Sequence, residues 1–237
     1  MKRFYKSVSV GDGNAVLLDG RPLKTPRGGS LDLPSGALAE AIADEWRTQG
    51  GEIDAQSMPL TKLANTAIDG VTPRRDEVIA EIAAFAKHDH LCYRTDTPAE
   101  LVRRQSEAWD PLLDWAAERY GAPLVPAKGI TSVAQPETSI AALRRAVEAL
   151  DPFALSALHV IASICGSLVL GLAVVDKRVS AEEAFALSQI DERFQAEKWG
   201  LDSEAETRAK RLEQELVTAE RFLRLSLSPT DVGERAG

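Results

Sequence analysis

The longest uncharged segment of the chain, residues 153–175, places the strongest constraint on its fold. None of its 23 residues is Asp, Glu, Lys or Arg, and that length is enough for a helix to span a bilayer. Serines, glycines and His159 dilute its hydrophobicity, however, and no aromatic belt flanks it. A helix that is apolar on all sides is either a membrane span or the central helix of a bundle. Because amphipathic helices are predicted on both sides of it, we predict a buried central helix.

The first 34 residues predict short β-strands separated by turns. The β-prone runs are residues 7–10, 15–18 and 31–33. Asp19-Gly20 favours a hairpin turn, because both residues tolerate positive φ. After Pro34 the apolar spacing becomes helical, and Ser35 is the predicted N-cap of a helix that includes Trp46.

The sequence beyond Pro98 has helical spacing throughout. Capping-box patterns, in which Glu follows Ser or Thr by three residues, predict helix starts at Thr97, Ser180 and Ser203. Pro111 is expected to kink or restart the first of these helices. The tail from Ser226 is expected to be frayed.

These patterns predict an α+β protein made of two domains. Residues 1–96 are expected to form a small β-rich N-terminal α/β domain with antiparallel hairpins. Residues 97–237 are expected to form a C-terminal α-helical bundle domain.

Composition excludes several classes of protein. A formal charge of −8 and a pI near 5.1 argue against a nucleic-acid binder, which normally carries a basic face. Two cysteines, Cys92 and Cys165, do not make a disulfide framework and suit a reducing compartment. The chain begins directly with strand-like sequence and no signal-peptide core, so a cytoplasmic location is expected.

Patterns for catalysis and cofactor binding are weak. The phosphate-binding loops and the G-x-S-x-G elbow are absent from the sequence. His88, His90 and Cys92 alternate along a possible strand and could converge on zinc, although a fourth ligand is not evident. A small hydrolase or transferase using carboxylates near residues 88–92 is the alternative that these side chains leave open.

Six short runs are more specific than generic helix or turn patterns require. They are Arg3-Phe4-Tyr5-Lys6, Leu18-Asp19-Gly20-Arg21-Pro22-Leu23-Lys24-Thr25-Pro26, Glu45-Trp46, Met58-Pro59-Leu60-Thr61, Asp89-His90-Leu91-Cys92-Tyr93-Arg94, and Phe194-Gln195 with Trp199-Gly200. In this order and spacing, over residues 3–225, the chain resembles the assembly chaperones that bind the α subunit of the soluble catalytic head of F-type ATP synthase.

The resemblance implies an N-terminal α/β part followed by an orthogonal helical bundle. It also implies a molecular chaperone, not an enzyme, that holds the unassembled α subunit soluble until the β subunit replaces it. No nucleotide, metal or other cofactor is expected, and neither nucleic acid, membrane insertion nor a small-molecule substrate is implied. Because mitochondrial relatives carry a transit peptide and this chain begins at the first strand, it resembles a bacterial, cytoplasmic member.

The resemblance also suggests where the partner binds. The stretch around Phe194 is the most family-like part of a predicted helix, and its polar residues lie off the apolar face. Trp199 could cap the core or anchor a partner, and two N-terminal residues are secondary candidates. The predicted partner-binding residues are Asp191, Glu192, Gln195, Trp199, Trp46 and Met58.

Overall fold

The computed structural model describes residues 1–129, 133–200 and 202–227, and its helices with small sheets confirm the α+β fold class. The strands are β1 (Val8–Val10), β2 (Val16–Leu18), β3 (Arg21–Pro22), β4 (Tyr93–Arg94) and β5 (Ala127–Lys128). The α-helices are α1 (Gly36–Arg47), α2 (Pro59–Asn65), α3 (Arg75–Ala84), α4 (Ala99–Tyr120), α5 (Glu137–Glu148), α6 (Pro152–Cys165), α7 (Leu168–Val175), α8 (Ala181–Ser188), α9 (Ile190–Trp199) and α10 (Ser203–Ser226). The tail predicted to be frayed lies outside the described residues beyond residue 227.

The chain forms two compact units, each made of non-contiguous segments. The first unit comprises Met1–Arg75, Asp151–Ala157 and the described residues from 218 to 227. The second comprises Asp76–Leu150 and Leu158–Val217. The predicted boundary after residue 96 is a statement about which parts of the chain fold independently. The division into compact units does not test independent folding, so the boundary stays a prediction.

The first unit contains the antiparallel sheet β1-β2-β3. The predicted hairpin is confirmed: Asp19 and Gly20 join β2 to β3 with φ angles of 49° and 77°. The Asp19 carboxylate also accepts hydrogen bonds from the backbone N–H groups of Lys6 and Ser7. The prediction of a strand at 31–33 is wrong, because β3 forms directly after the two-residue turn and completes the sheet.

Helices α1 and α2 of the first unit are joined by a half-buried carboxylate, that of Glu45. The Ser35 side chain caps α1 as predicted, accepting from the Leu38 N–H at 3.0 Å. Near the end of α1, Glu45 accepts hydrogen bonds from the N–H groups of Leu60 at 2.7 Å and Thr61 at 2.8 Å, in the first turn of α2. This contact explains why the Glu45-Trp46 and Met58-Pro59-Leu60-Thr61 runs occur together.

The uncharged segment forms two helices, so the prediction of one central helix over 153–175 is wrong in that respect. Helix α6 ends at Cys165 because Gly166 takes a φ of 62°, and the Ser167 side chain then caps α7. Every residue of α7 is buried. Within the described part of the chain, no helix is long and apolar enough to cross a membrane.

The capping-box predictions have mixed outcomes. The box at Ser180 is confirmed, with both reciprocal hydrogen bonds to Glu183 present. The box at Thr97 is wrong: α4 begins after Pro98 without a side-chain cap, and Glu100 pairs with Arg104 instead. The box at Ser203 is also wrong, because α10 already includes Ser203 and the Asp202 side chain accepts from the Glu204 N–H.

Helix α4 is uninterrupted at its internal proline, which the sequence predicted to kink or restart it. It continues through Pro111 to Tyr120 and ends at Gly121, whose φ is 65°. The restart is therefore wrong. Helix α4 is one continuous helix, and its residues Arg104 and Gln105 contact the neighbouring helix α9.

Candidate functional site

Helix α9 carries four of the six predicted partner-binding residues. One buried side chain packs it against the rest of the second unit. Phe194 is the only buried residue of α9, and it belongs to the core of the second unit. The Phe194 ring lies 5.3 Å from the Arg104 guanidinium carbon and 5.3 Å from the Lys198 Nζ. Two cations therefore flank this ring, where the aromatic quadrupole attracts them.

Ion pairs connect the C-terminal half of α9 to the start of α4. Arg104 donates to Glu197 at 2.9 Å and to Glu100 at 2.7 Å, and Lys198 lies 3.4 Å from Glu100. Hydrogen bonds from Arg104 lower the pKa of both Glu100 and Glu197. All four side chains have substantial solvent exposure, so each pair contributes little to stability on its own.

Asp191 is connected to α4 through a buried amide. Its Oδ1 accepts a hydrogen bond from Gln105 Nε2 at 2.7 Å, and the Gln105 side chain is buried. Asp191 itself is half-buried. It therefore differs from the other predicted binding residues of α9, because its carboxylate is already engaged.

Glu192, Gln195 and Trp199 together form an exposed surface, here called the α9 face. Steps of three and four residues bring these side chains to one side of a helix that has 3.6 residues per turn. All three are exposed, Trp199 at 79%, and their side chains form no hydrogen bond or ion pair within the described residues. Helix α9 thus presents a carboxylate, an amide and a large aromatic ring to solvent.

The two N-terminal candidates lie in the interior of the first unit. Trp46 is 8% exposed and Met58 is 5% exposed. The Trp46 indole Nε1 donates to Thr61 Oγ1 at 3.2 Å, and its backbone carbonyl accepts from the Tyr5 hydroxyl at 2.7 Å. Neither side chain offers surface in this structure, and their role as partner-binding residues stays a prediction.

The segment predicted as a zinc-binding strand consists of two 3₁₀ turns, which corrects that expectation. His88 contacts the Tyr93 hydroxyl, the His90 ring packs edge-on against Trp109 at 5.1 Å, and Cys92 is buried. Burial raises the pKa of the Cys92 thiol to about 12, so it is neutral at physiological pH. Across the described residues, no group of three or more His, Cys, Asp or Glu side chains could hold a metal.

Sequence reasoning missed two residues that position α9, Arg104 and Gln105. The signal for Gln105 was an amide at an apolar position of the α4 stripe, where a buried polar group requires a partner. The spacing of Glu100 and Arg104 indicates an ion pair within α4, but nothing in the sequence indicated that Arg104 also contacts Glu197 on α9.

Comparisons with known proteins identify the family. The family model described as ATP12 chaperone protein matches residues 2–117. The crystal structure of Atp12 from Paracoccus denitrificans is 48% identical to this chain, with a TM-score of 0.91, and covers 95% of this chain and 98% of its own. The chain belongs to the ATP12 chaperone family. It is therefore an ATP synthase assembly chaperone and not an enzyme, which removes the hydrolase or transferase alternative.

Two further relatives extend the comparison within the ATP12 family. A putative chaperone from Agrobacterium tumefaciens is 39% identical, with a TM-score of 0.88, and the match covers 96% of this chain and 86% of that one. The mitochondrial protein atp12 of Schizosaccharomyces pombe is 27% identical over 214 residues, 84% of this chain and 74% of its own length. The bacterial matches agree with the predicted bacterial character of the chain.

Proposed function

We propose that this chain binds the unassembled α subunit of the F-type ATP synthase head and keeps it soluble until the β subunit replaces it. We further propose that it does so in the bacterial cytoplasm, where its two free, buried thiols suit a reducing environment. The α9 face is the proposed contact surface. The single observation that supports it is the 79% exposure of Trp199 at the end of a helix whose other side is anchored.

An exposed tryptophan is suited to this role for energetic reasons. Large aromatic side chains dominate interface energetics because they bury much apolar area for few rotatable bonds. A ring subunit exposes apolar surface before its neighbour arrives, and such patches promote aggregation. Covering that patch with Trp199 lowers the free energy of both partners, and a small contact area keeps the complex exchangeable.

Glu192 and Gln195 give the α9 face its polarity. Neither side chain has an intramolecular partner among the described residues, so both are free to pair with basic or amide groups of the α subunit. Complementary charge across an interface steers association and selects the correct partner more than it increases affinity. We therefore expect Trp199 to provide affinity and Glu192 to provide specificity.

The proposal is tested with purified α subunit and light scattering at a temperature where it aggregates alone. Trp199→Ala should raise the chaperone concentration needed to prevent aggregation by about tenfold or more, because Trp199 is expected to be an interface hot spot. Glu192→Lys should slow association, with the effect diminishing at high salt. Both variants should melt like the unmodified chain, because exposed residues without partners contribute little to stability.

Phe4→Ala is the matched control for the tryptophan variant. Phe4 is also an exposed aromatic residue, at 64%, but it lies in the first unit. Protection should be unchanged in this control. If the unmodified chain fails to protect the α subunit, or if Trp199→Ala and Glu192→Lys protect it as well as the control, the proposed function or its surface is wrong.

A further inference from the structure

We infer that Asp191 is a positioning residue: acting through Gln105, it fixes the first turn of α9 and so sets the direction in which the α9 face is presented. Its link to the α subunit rests on the proposed function, whereas the positioning itself is a property of the free chain. Asp191 and Glu192 are adjacent carboxylates, but in this inference they have different roles. Glu192 belongs to the contact surface, and Asp191 keeps that surface in place.

The orientation of the Gln105 amide follows from its two partners. The Thr95 backbone N–H, which can only donate, lies 2.9 Å from Gln105 Oε1. This leaves Gln105 Nε2 to donate to the Asp191 carboxylate at 2.7 Å, and a carboxylate can only accept. The amide therefore connects the backbone after β4 to the first turn of α9, with each donor facing an acceptor.

Burial makes this connection stronger than the other polar contacts of α9. Gln105 is 1% exposed, so an unpaired Nε2 could not be satisfied by bulk water. A hydrogen bond to an ionised carboxylate is shorter and stronger than a neutral one. The Arg104 and Lys198 pairs at the opposite end of α9 are exposed, where solvent weakens them.

The apolar contacts of α9 are insufficient to fix its orientation. Phe194 is its only buried residue, and a single apolar anchor allows a helix to rotate and tilt about it. The side chain of the N-cap residue Gln189 accepts no hydrogen bond from the N–H groups of the first turn, so no local cap restrains that turn. Asp191 also carries negative charge in that first turn, where the helix dipole favours it. The Asp191–Gln105 hydrogen bond is thus the restraint at this end of the helix.

The inference is tested by exchanging donor and acceptor between the two positions. Gln105→Glu keeps an oxygen for the Thr95 N–H but turns a second carboxylate oxygen toward Asp191, so the two carboxylates repel each other. Asp191→Asn keeps an oxygen that can accept from Gln105 and removes only the charge. In the Gln105→Glu, Asp191→Asn double variant, the new amide can donate to the new carboxylate, and the connection is restored with reversed polarity.

Two measurements are made on each variant, and the first needs no α subunit. Hydrogen exchange of the α9 amides in the free chain should accelerate by about tenfold in Gln105→Glu and return to within about threefold of the unmodified rate in the double variant. Affinity for the α subunit should follow the same order, with Asp191→Asn retaining it to within about threefold. Asp191→Ala, which has no acceptor, should resemble Gln105→Glu in both measurements.

The outcomes separate positioning from direct contact. If Asp191→Asn loses affinity tenfold while α9 exchange is unchanged, Asp191 contacts the partner directly and the inference is wrong. If the double variant exchanges as fast as Gln105→Glu, the two residues are not coupled and the inference is also wrong. If exchange follows the expected order but no form of the chain binds the α subunit, the positioning role stands and the proposed function fails.

Discussion

The Asp89 carboxylate lies wholly inside the second unit, at the N-terminus of α7. It accepts hydrogen bonds from the backbone N–H groups of Leu91 at 3.1 Å and Val169 at 3.0 Å, and from the Ser167 side chain. These donors include groups that a helix start would otherwise leave unsatisfied. At the residue scale, then, a family-like motif has a structural explanation: Asp89, like Glu45, joins two segments by satisfying buried backbone groups.

Replacing Asp89 should be costly because its donors would remain buried without an acceptor. We expect Asp89→Ala to lower the free energy of unfolding by about 2–4 kcal/mol in urea titrations at neutral pH. Asp114→Ala is the control, because Asp114 is an exposed carboxylate on α4, and its replacement should change stability by less than about 0.5 kcal/mol. Equal stability of the two variants would contradict the structural role of Asp89.

The same site predicts a pH dependence whose sign can be determined. Burial raises the pKa of Asp89 in the folded chain above its unfolded value of about 4. The folded state therefore retains a proton that the unfolded state has lost, and stability falls as pH rises through the folded pKa. The stability difference between the unmodified chain and Asp89→Ala should be largest below about pH 4 and should narrow as pH increases.

At the scale of elements, the break between α6 and α7 makes the uncharged segment compatible with a folded interior. Gly166 adopts a left-handed φ of 62° and turns the chain, and its carbonyl accepts from the His90 N–H at 3.0 Å. Ser167 then caps α7 and donates to Asp89. An apolar segment long enough to span a bilayer is thereby divided into two shorter helices, of which α7 is buried throughout.

The left-handed conformation of Gly166 gives a direct test of this break. Gly166→Ala should lower the free energy of unfolding by about 1–2 kcal/mol, because an L-residue is strained at this φ. Its added Cβ would lie 3.6 Å from the His90 Cβ, which is ordinary van der Waals contact, so the expected cost arises from the backbone conformation. Gly50→Ala is the control: Gly50 has no positive φ and open space around it, so thermal melts should differ little from the unmodified chain.

At the scale of the whole molecule, the first unit is completed by segments distant in sequence. Phe153 stacks on Phe222 with ring centroids 6.0 Å apart, and the Ser156 hydroxyl donates to the Leu63 carbonyl at 3.2 Å. The Ser35 hydroxyl donates to the Leu225 carbonyl. An N-terminal fragment would therefore lack part of the interior that its own residues pack against.

This arrangement leads to a prediction about the boundary placed after residue 96. We expect the isolated fragment 1–96 to remain unfolded by circular dichroism, because the segments carrying Phe153 and Phe222 are missing from it. Adding a chain comprising residues 97–237 should restore helical signal if the two pieces reassociate. A fragment 1–96 that folds cooperatively by itself would instead support the boundary after residue 96.

The sequence alone determined the features that depend on neighbouring residues. The Asp19-Gly20 turn, the Ser35 cap and the Ser180 capping box were predictable, because each is a local hydrogen-bond or φ preference. The six short runs that resemble the chaperone family predicted the family and the α+β fold class. The prediction that the α9 stretch binds the partner was also made in this way, although the runs did not show which of its residues are exposed.

Only the tertiary structure decided which of those residues are available to a partner. Trp46 and Trp199 are both tryptophans in family-like runs, yet one is buried against Thr61 and the other is exposed. Asp191 and Glu192 are adjacent carboxylates, yet only Asp191 meets the Gln105 amide from another helix. The partner of Asp191 lies 86 positions away in the chain, so no local pattern encodes this contact.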